Sequence, residues 1–156
     1  YNDRIYTFFE DNGLSQNPKA EAHTFDFNLQ HRGTVSFPNI EYRVTDATEI
    51  QEDGTFWVMN YFYPGDDHLA ADDGPLISQY GIGETHKQFD GVERIVEMKI
   101  EEGAIRLVNI APLYLRLNLD GVSRNWEGIV RLDEIGFLLI TDSFPRTIFG
   151  FVQDLR

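Results

Sequence analysis

Residues 43–64 read R-V-T-D-A-T-E-I-Q-E-D-G-T-F-W-V-M-N-Y-F-Y-P, and residues 124–145 read R-N-W-E-G-I-V-R-L-D-E-I-G-F-L-L-I-T-D-S-F-P. The two stretches align without a gap over 22 residues, at an offset of 81. Each reads as a short strand opened by an acidic residue, followed by an acidic turn and a strongly apolar strand. Similar residues coincide at several positions, among them Arg43 with Arg124, Asp46 with Glu127 and Phe56 with Phe137. This shared pattern favours duplication of one supersecondary unit.

The rest of the chain shows the same kind of pattern. Apolar residues take every second position at 96–100 and at 113–119, which is typical of half-buried strands. Between such runs lie Asp53-Gly54, Glu102-Gly103 and Asp120-Gly121, and these dipeptides suit the tight turns that join antiparallel strands. No segment has the periodicity or length of a helix. The sequence therefore predicts an all-β chain.

One segment departs from the strand pattern. Residues 64–89 lack alternation and are rich in Gly, Asp and Pro, and they follow the second apolar run of the first copy. We interpret them as a long excursion between the second and third strands of that unit, without a helix of its own. Loops of this length inside a compact domain are usually functional or disordered.

Composition and charge exclude several classes of function. The net charge is −13 and no run of Lys or Arg occurs, so nucleic acid and anionic membrane surfaces are poor partners. The chain has no cysteine, which excludes a disulfide framework, a thiolate metal site and a cysteine nucleophile. No apolar stretch approaches the roughly 18 residues that a membrane span requires.

The two copies resemble blades of a known family. The segments that carry the resemblance are 41–50, 54–65, 124–132 and 136–152, above all E-G-I at 127–129 followed by G-F-L-L-I-T-D at 136–142. They are similar to the propeller proteins grouped as "esterase-like activity of phytase", and more loosely to gluconolactonase, paraoxonase and strictosidine-synthase propellers. This resemblance implies two to three blades of a six-bladed β-propeller, with a partial blade at 1–44, a blade at 45–122 and a partial blade at 123–156.

A half ring would leave sheet edges open, which natural proteins avoid. The resemblance thus implies that the chain is the C-terminal half of a longer domain. The rest of the ring would be the missing half of the propeller or come from a homo-oligomer. The alternative is a small closed antiparallel β-barrel, which has no edges. The resemblance alone favours a secreted or periplasmic protein.

Asp46 and Glu127 are the first candidates for a metal site. Acids at repeat-equivalent positions on innermost strands would converge at a propeller channel, where a hard cation such as Ca²⁺ relieves their repulsion. In the propellers that the chain resembles, acidic and Asn side chains at the channel mouth hold a divalent metal. The resemblance implies Glu127 as a ligand, with Asn60, Asn125 and Asp142 as co-ligands. The alternative is that these polar residues cap strand ends.

Three further residues are candidates for chemistry. His68 and His86 flank the excursion, and a histidine near a carboxylate can act as a general base at neutral pH. Arg124 is a candidate for binding an anionic substrate through two parallel hydrogen bonds, although it could equally pair with the abundant acids. No G-x-S-x-G motif is present, which removes the usual signal of a serine esterase.

Two hypotheses of function follow. The first is a metal-assisted hydrolase, like a phosphoesterase or esterase, which acts on a small-molecule ester or phosphoester at the propeller channel with Ca²⁺ or another divalent metal. The second is a non-catalytic binding module that makes contact through the 64–89 loop. The fold does not choose between them, because propellers carry many unrelated functions.

Overall fold

The computed structural model of the chain describes residues 1–70, 74–143 and 146–155. Antiparallel strands dominate these residues, so the prediction of an all-β chain is confirmed. The strands are β1 (Ile5–Thr7), β2 (Glu21–Phe25), β3 (His31–Ser36), β4 (Arg43–Ala47), β5 (Thr55–Phe62), β6 (Val92–Glu101), β7 (Ala104–Leu107), β8 (Leu113–Tyr114), β9 (Trp126–Leu132), β10 (Gly136–Thr141) and β11 (Phe149–Gln153).

In the described residues the strands form three sheets of sequential antiparallel neighbours. The first sheet has the order β1-β2-β3, the second β4-β5-β6-β7 and the third β9-β10-β11, while β8 pairs with β6 beyond the end of β7. None of these sheets closes on itself, so the alternative of a small closed barrel is wrong for this part of the chain. Each predicted unit holds one sheet, although the boundary drawn at residue 44 falls inside β4.

The two aligned stretches form equivalent hairpins. The first copy supplies β4 and β5, the first two strands of the second sheet, and the later copy supplies β9 and β10, the first two strands of the third. In the earlier hairpin Gly54 takes a φ of +87°, and a Cβ on it would lie 2.7 Å from the Ile100 carbonyl oxygen. The predicted Asp53-Gly54 turn is thus confirmed. Residues 144 and 145, the end of the later copy, lie outside the described residues.

Strand β5 is buried along its whole length. Phe56 and Val58 point to one side, into a core shared with the first sheet, and Trp57 and Met59 point to the other side, into a core shared with the third sheet. Burial of a large apolar side chain contributes about 1.5–3 kcal/mol, so these two layers supply most of the driving force that joins the sheets.

Side chains of β4 also hold the edge of the third sheet. The Thr45 hydroxyl donates to the Trp126 carbonyl oxygen at 2.6 Å, and the Ile129 N–H donates to the Asp46 carboxylate at 2.8 Å. These backbone groups of β9 face away from β10, so they would lack a partner without β4. The first strands of the second and third sheets therefore lie side by side.

The 113–119 segment is only partly the strand that its alternation predicts. Leu115 and Leu117 are buried, but Leu119 is exposed and the ladder with β6 involves only Leu113 and Tyr114. Apolar alternation here reflects a chain that lies over the core without pairing along its length.

The excursion 64–89 joins β5 to β6, the second and third strands of the second sheet, as predicted. The expectation that it has no helix is wrong. It contains a 3₁₀ turn at Asp67–Leu69, a helix α1 at Pro75–Tyr80 and a second 3₁₀ turn at His86–Gln88. Helix α1 has six residues, opened by Pro75 and followed by Gly81, and is too short to show periodicity in the sequence. No described helix has the length and apolar character needed to cross a membrane.

A buried polar network attaches the excursion to the second sheet. Arg94 on β6 donates to the Glu41 carboxylate at 2.9 Å and to the Asn60 side-chain oxygen at 2.6 Å. The other oxygen of Glu41 accepts the Ile77 N–H of α1 at 3.0 Å. A Cβ on Gly74 would lie 1.6 Å from Glu41 Cγ, so only glycine fits where the helix begins over this carboxylate.

This network generates a stability prediction. Replacing Arg94 by Leu leaves the carboxylate of Glu41 buried without its cation, and we expect a loss of about 3–5 kcal/mol in the free energy of unfolding, measured by urea denaturation. The double variant Arg94→Leu with Glu41→Leu should recover much of the lost stability. Arg106→Leu is the control, because Arg106 pairs with Glu102 at the surface, and it should change stability by under about 0.5 kcal/mol. A loss below about 1 kcal/mol for Arg94→Leu would contradict the role of the network.

Candidate functional site

A polar cleft lies between the second and third sheets. It opens where Arg43 begins β4 and where Asn125 precedes β9, and its volume is about 460 Å³. Its walls come from four parts of the chain: the segment before β2, the start of β4, the end of β5 with the start of the excursion, and the start of β9 with the residues before it. The lining residues are Glu10, Arg43, Tyr61, Tyr63, Asp66, Ser123, Asn125 and Glu127.

Arg43 is held at one wall by acids. Its Nε donates to Asp66 at 2.7 Å, its Nη1 donates to Glu10, and Asp11 lies 3.5 Å from the same nitrogen. The hydrogen bond to Asp66 is the main cause that raises the pKa of Arg43, which stays charged at every accessible pH. Its guanidinium thus fixes the start of the excursion and the segment before β2 against β4.

Tyr61 and Asn125 form the floor of the cleft. The Tyr61 hydroxyl donates to the Asn125 side-chain oxygen, and the backbone oxygen of Asn125 accepts the Asp142 N–H at 3.0 Å. Burial raises the pKa of Tyr61, and the negative charge of Glu127 adds to this effect. The phenol therefore stays protonated and acts as a donor.

Glu127 lies at the opposite wall, in a negative field. Its pKa is raised, first by partial burial and then by the charges of Glu10 and Asp142. Arg43 and the Asn125 side chain oppose that shift with smaller effects. Since Glu10, Asp66 and Glu127 face a single lining cation, Arg43, the cleft carries an excess of negative charge that attracts cations.

The structure distributes the predicted metal ligands over three places. Glu127 and Asn125 line the cleft, and Asp142 lies next to them. Asn60 is buried, donates to the carbonyl oxygens of Glu41 and Arg43, and accepts from Arg94. The Asp46 carboxylate binds the Ile129 N–H. In residues 1–70, 74–143 and 146–155, no three His, Asp or Glu side chains are grouped as ion ligands, and the metal site stays a prediction.

Comparison with models of protein families, with curated proteins and with solved structures finds no match.

Arg124 lies outside the cleft lining and binds an internal acid. Its Nη2 and Nε donate to Glu93 Oε2 at 2.6 and 3.0 Å, and the Trp126 indole donates to the same oxygen at 2.8 Å. Glu93 is fully buried, so this guanidinium neutralises a buried carboxylate. The structure thus places Arg124 in an internal ion pair rather than free for substrate.

The two candidate histidines do not share the cleft. His86 lies in the second 3₁₀ turn of the excursion and is buried, and its Nε2 accepts the Glu93 N–H at 3.1 Å. Burial and the nearby charges of Arg94 and Arg124 lower its pKa to about 4, so the ring is neutral near pH 7, with its proton on Nδ1. His68 is exposed at the start of the excursion, and its Nε2 lies 3.6 Å from Asp11.

Sequence reasoning missed Glu10, Tyr61, Tyr63 and Asp66 as members of the site. Glu10 has no repeat counterpart, and its approach to Arg43 depends on how the first sheet meets the second. Tyr61 had a detectable signal, because it lies at a polar interruption next to Asn60 in an otherwise apolar strand. Asp66 is one of several acids in the excursion, and the sequence does not distinguish it from its neighbours.

The lowered pKa of His86 predicts a pH dependence of stability. An unfolded histidine titrates near 6.5 while the folded one titrates near 4, so the unfolded state binds the proton first as pH falls. The stability that neutral His86 contributes is complete above pH 6.5. We expect it to fall by roughly 3 kcal/mol as pH drops to 4.

The measurement is urea denaturation between pH 7 and pH 4 for the wild type and His86→Gln. Glutamine can still accept the Glu93 N–H and does not titrate. The free energy of unfolding of His86→Gln should therefore fall by roughly 3 kcal/mol less than that of the wild type over this pH range. His68→Gln is the matched control and should follow the wild type, because His68 is exposed. Parallel curves for the wild type and His86→Gln would show that His86 does not contribute.

Proposed function

We propose that the chain is a segment of a β-propeller-type stack and acts as a binding module, whose cleft takes a cationic group of a small ligand. The observation that carries this proposal is the raised pKa of Glu127 in a cleft with more acids than bases. A cation that binds beside Glu127 stabilises the charged carboxylate, because the cation offsets the repulsion from Glu10 and Asp142.

The arrangement of the sheets supports the propeller part of the proposal. The sheets follow one another as meanders, the second sheet packs on both faces, and the first strands of the second and third sheets are adjacent. Blades of a propeller are related in this way, with their innermost strands around a common axis. The resemblance of E-G-I at 127–129 and G-F-L-L-I-T-D at 136–142 to propeller families adds to this support.

The chemistry of the walls supports a cationic ligand. Tyr61 and Tyr63 contribute aromatic surface to the cleft, and the faces of such rings attract ammonium groups. Asp66 comes from the excursion, so the 64–89 loop forms part of one wall, as the binding-module hypothesis expected. Glu127 and Glu10 supply negative charge for a protonated amine.

A metal-assisted hydrolase at the same cleft is the second candidate. The raised pKa of Glu127 favours this candidate, since catalytic carboxylates in clefts often have raised pKa values. In that case Glu127, Asn125 and Asp142 would be the groups nearest to a Ca²⁺ ion. Arg124 is paired with the buried Glu93 and His86 is buried within the excursion, and both positions give this candidate less support than the first.

The binding proposal predicts that protonated benzylamine binds with a millimolar dissociation constant, while neutral benzyl alcohol does not. Glu127→Gln should weaken binding about fivefold, which corresponds to roughly 1 kcal/mol for a partly exposed charge. Affinity should also fall as pH drops toward the raised pKa of Glu127, because protonation of Glu127 removes its charge. The measurement is titration followed by nuclear magnetic resonance, with Glu134→Gln as a control in the β9–β10 turn.

Two results would count against a cationic binding site. Equal affinities for benzylamine and benzyl alcohol would show that charge plays no role. Equal affinities for the wild type and Glu127→Gln would place the ligand elsewhere. Ca²⁺ binding together with Ca²⁺-dependent turnover of p-nitrophenyl acetate or phosphate, both lost in Glu127→Gln, would favour the hydrolase over the binding module.

A further inference from the structure

The third sheet has an exposed apolar face on the side away from the second sheet. Phe137 and Leu139 of β10 point into the core, so Leu138 and Ile140 point to the other face. Leu138 lies opposite Val130 and Phe151, and Ile140 lies opposite Phe149. Four of these side chains are strongly exposed: Val130 by 56%, Ile140 by 42%, Phe149 by 69% and Phe151 by 52%. We call this set of residues 130, 138, 140, 149 and 151 the outer face.

The internal repeat shows what covers such a face elsewhere in the chain. At the offset of 81, Leu138 falls on Trp57 and Ile140 falls on Met59. Trp57 and Met59 are buried against the third sheet, where they contact the side chains of a neighbouring antiparallel sheet. The equivalent face in the second sheet is therefore covered by another sheet with apolar side chains.

The outer face is large and carries no charge. Since an aromatic side chain presents on the order of 200 Å² and an aliphatic one somewhat less, its four most exposed members present on the order of 400 Å². Ile135 and Leu155, exposed by 61% and 81%, lie at the hairpin end of the same sheet and bring the surface to about 600 Å². Two such surfaces would bury about 1,200 Å², the lower end of a stable interface.

A second copy of the chain offers a matching surface. The free face of the first sheet is mixed and carries ionisable groups: Ala22 points into the core, while Glu21, His23 and Phe25 point outward, with Thr34 opposite His23 and His31 opposite Phe25. The outer face of another copy is apolar and uncharged. A twofold pairing of two outer faces also keeps the acidic surfaces apart, which matters for a chain of net charge −13.

We propose that two copies of this chain pair through their outer faces, third sheet on third sheet, about a twofold axis. The pairing gives Val130, Ile140, Phe149 and Phe151 the same kind of cover that Trp57 and Met59 receive within one copy. It goes beyond the proposed ligand site, because the cleft lies on the opposite side of the third sheet.

Sedimentation equilibrium of the wild type between about 1 and 200 μM tests the proposal, with a dissociation constant in the micromolar range expected for an interface of this size. Phe151→Asp places two carboxylates across the twofold axis and should raise that constant at least about 50-fold. Phe149→Ser with Phe151→Ser is a milder variant, in case the first one does not fold, and should also shift the equilibrium toward monomer. Leu119→Asp, at an exposed leucine outside the sheets, is the control and should leave it unchanged.

Hydrogen exchange gives a second readout on the unmodified protein. The amides of Phe149–Gln153 should become more protected as the concentration rises through the dimerisation range. A wild type that stays monomeric at 200 μM would overturn the proposal. A dimer that neither Phe151 variant weakens, or one that His23→Glu on the first sheet weakens instead, would also overturn it.

Discussion

The structure depends on the burial of β5 on both faces. Seven of its eight side chains are apolar, aromatic or the small Thr55, and the polar atoms of Thr55, Trp57 and Tyr61 have hydrogen-bond partners, but Asn60 is polar and fully buried. A buried amide must have partners. Asn60 donates to the carbonyl oxygens of Glu41 and Arg43 and accepts from Arg94, and Arg94 in turn requires the carboxylate of Glu41. The central strand therefore determines which residues surround it.

The same network positions the excursion and the cleft. Glu41 also accepts the Ile77 N–H, so α1 lies over the second sheet at a fixed point. The carbonyl oxygen of Arg43 is held by Asn60 while its guanidinium reaches Glu10 and Asp66. One wall of the cleft is thus attached directly to the buried strand, and the excursion contributes Asp66 to that wall because β5 ends beside it. A site assembled on such a support is preorganised.

The sequence predicts the parts of this structure that depend on local pattern. The ungapped repeat with its acidic turns identifies the hairpins of β4–β5 and β9–β10, and the offset of 81 relates Asp46 to Glu127. The sequence does not predict that Asp46 binds the Ile129 N–H of the neighbouring sheet, or that Arg124 neutralises Glu93. Both contacts depend on how the sheets pack against one another. Helix α1 was not predicted because six residues are too few to show a helical period. Strand β8 is shorter than the apolar alternation at 113–119 predicts, because apolar alternation does not require a neighbouring strand to pair with.

The repeat also explains why the cleft and the outer face lie on opposite sides of the third sheet. A sheet with two apolar faces needs a neighbouring element on each face. The second sheet has the first sheet on one face and the third sheet on the other. Within the described part of the chain, the third sheet has a neighbour on one side only, where the meeting of β4 and β9 leaves the acidic cleft between Arg43 and Glu127. Its other side keeps the apolar pattern of the repeat without a covering sheet. The acidic cleft and the apolar outer face are thus on opposite sides of the third sheet, so the proposed pairing through the outer face would leave the cleft open.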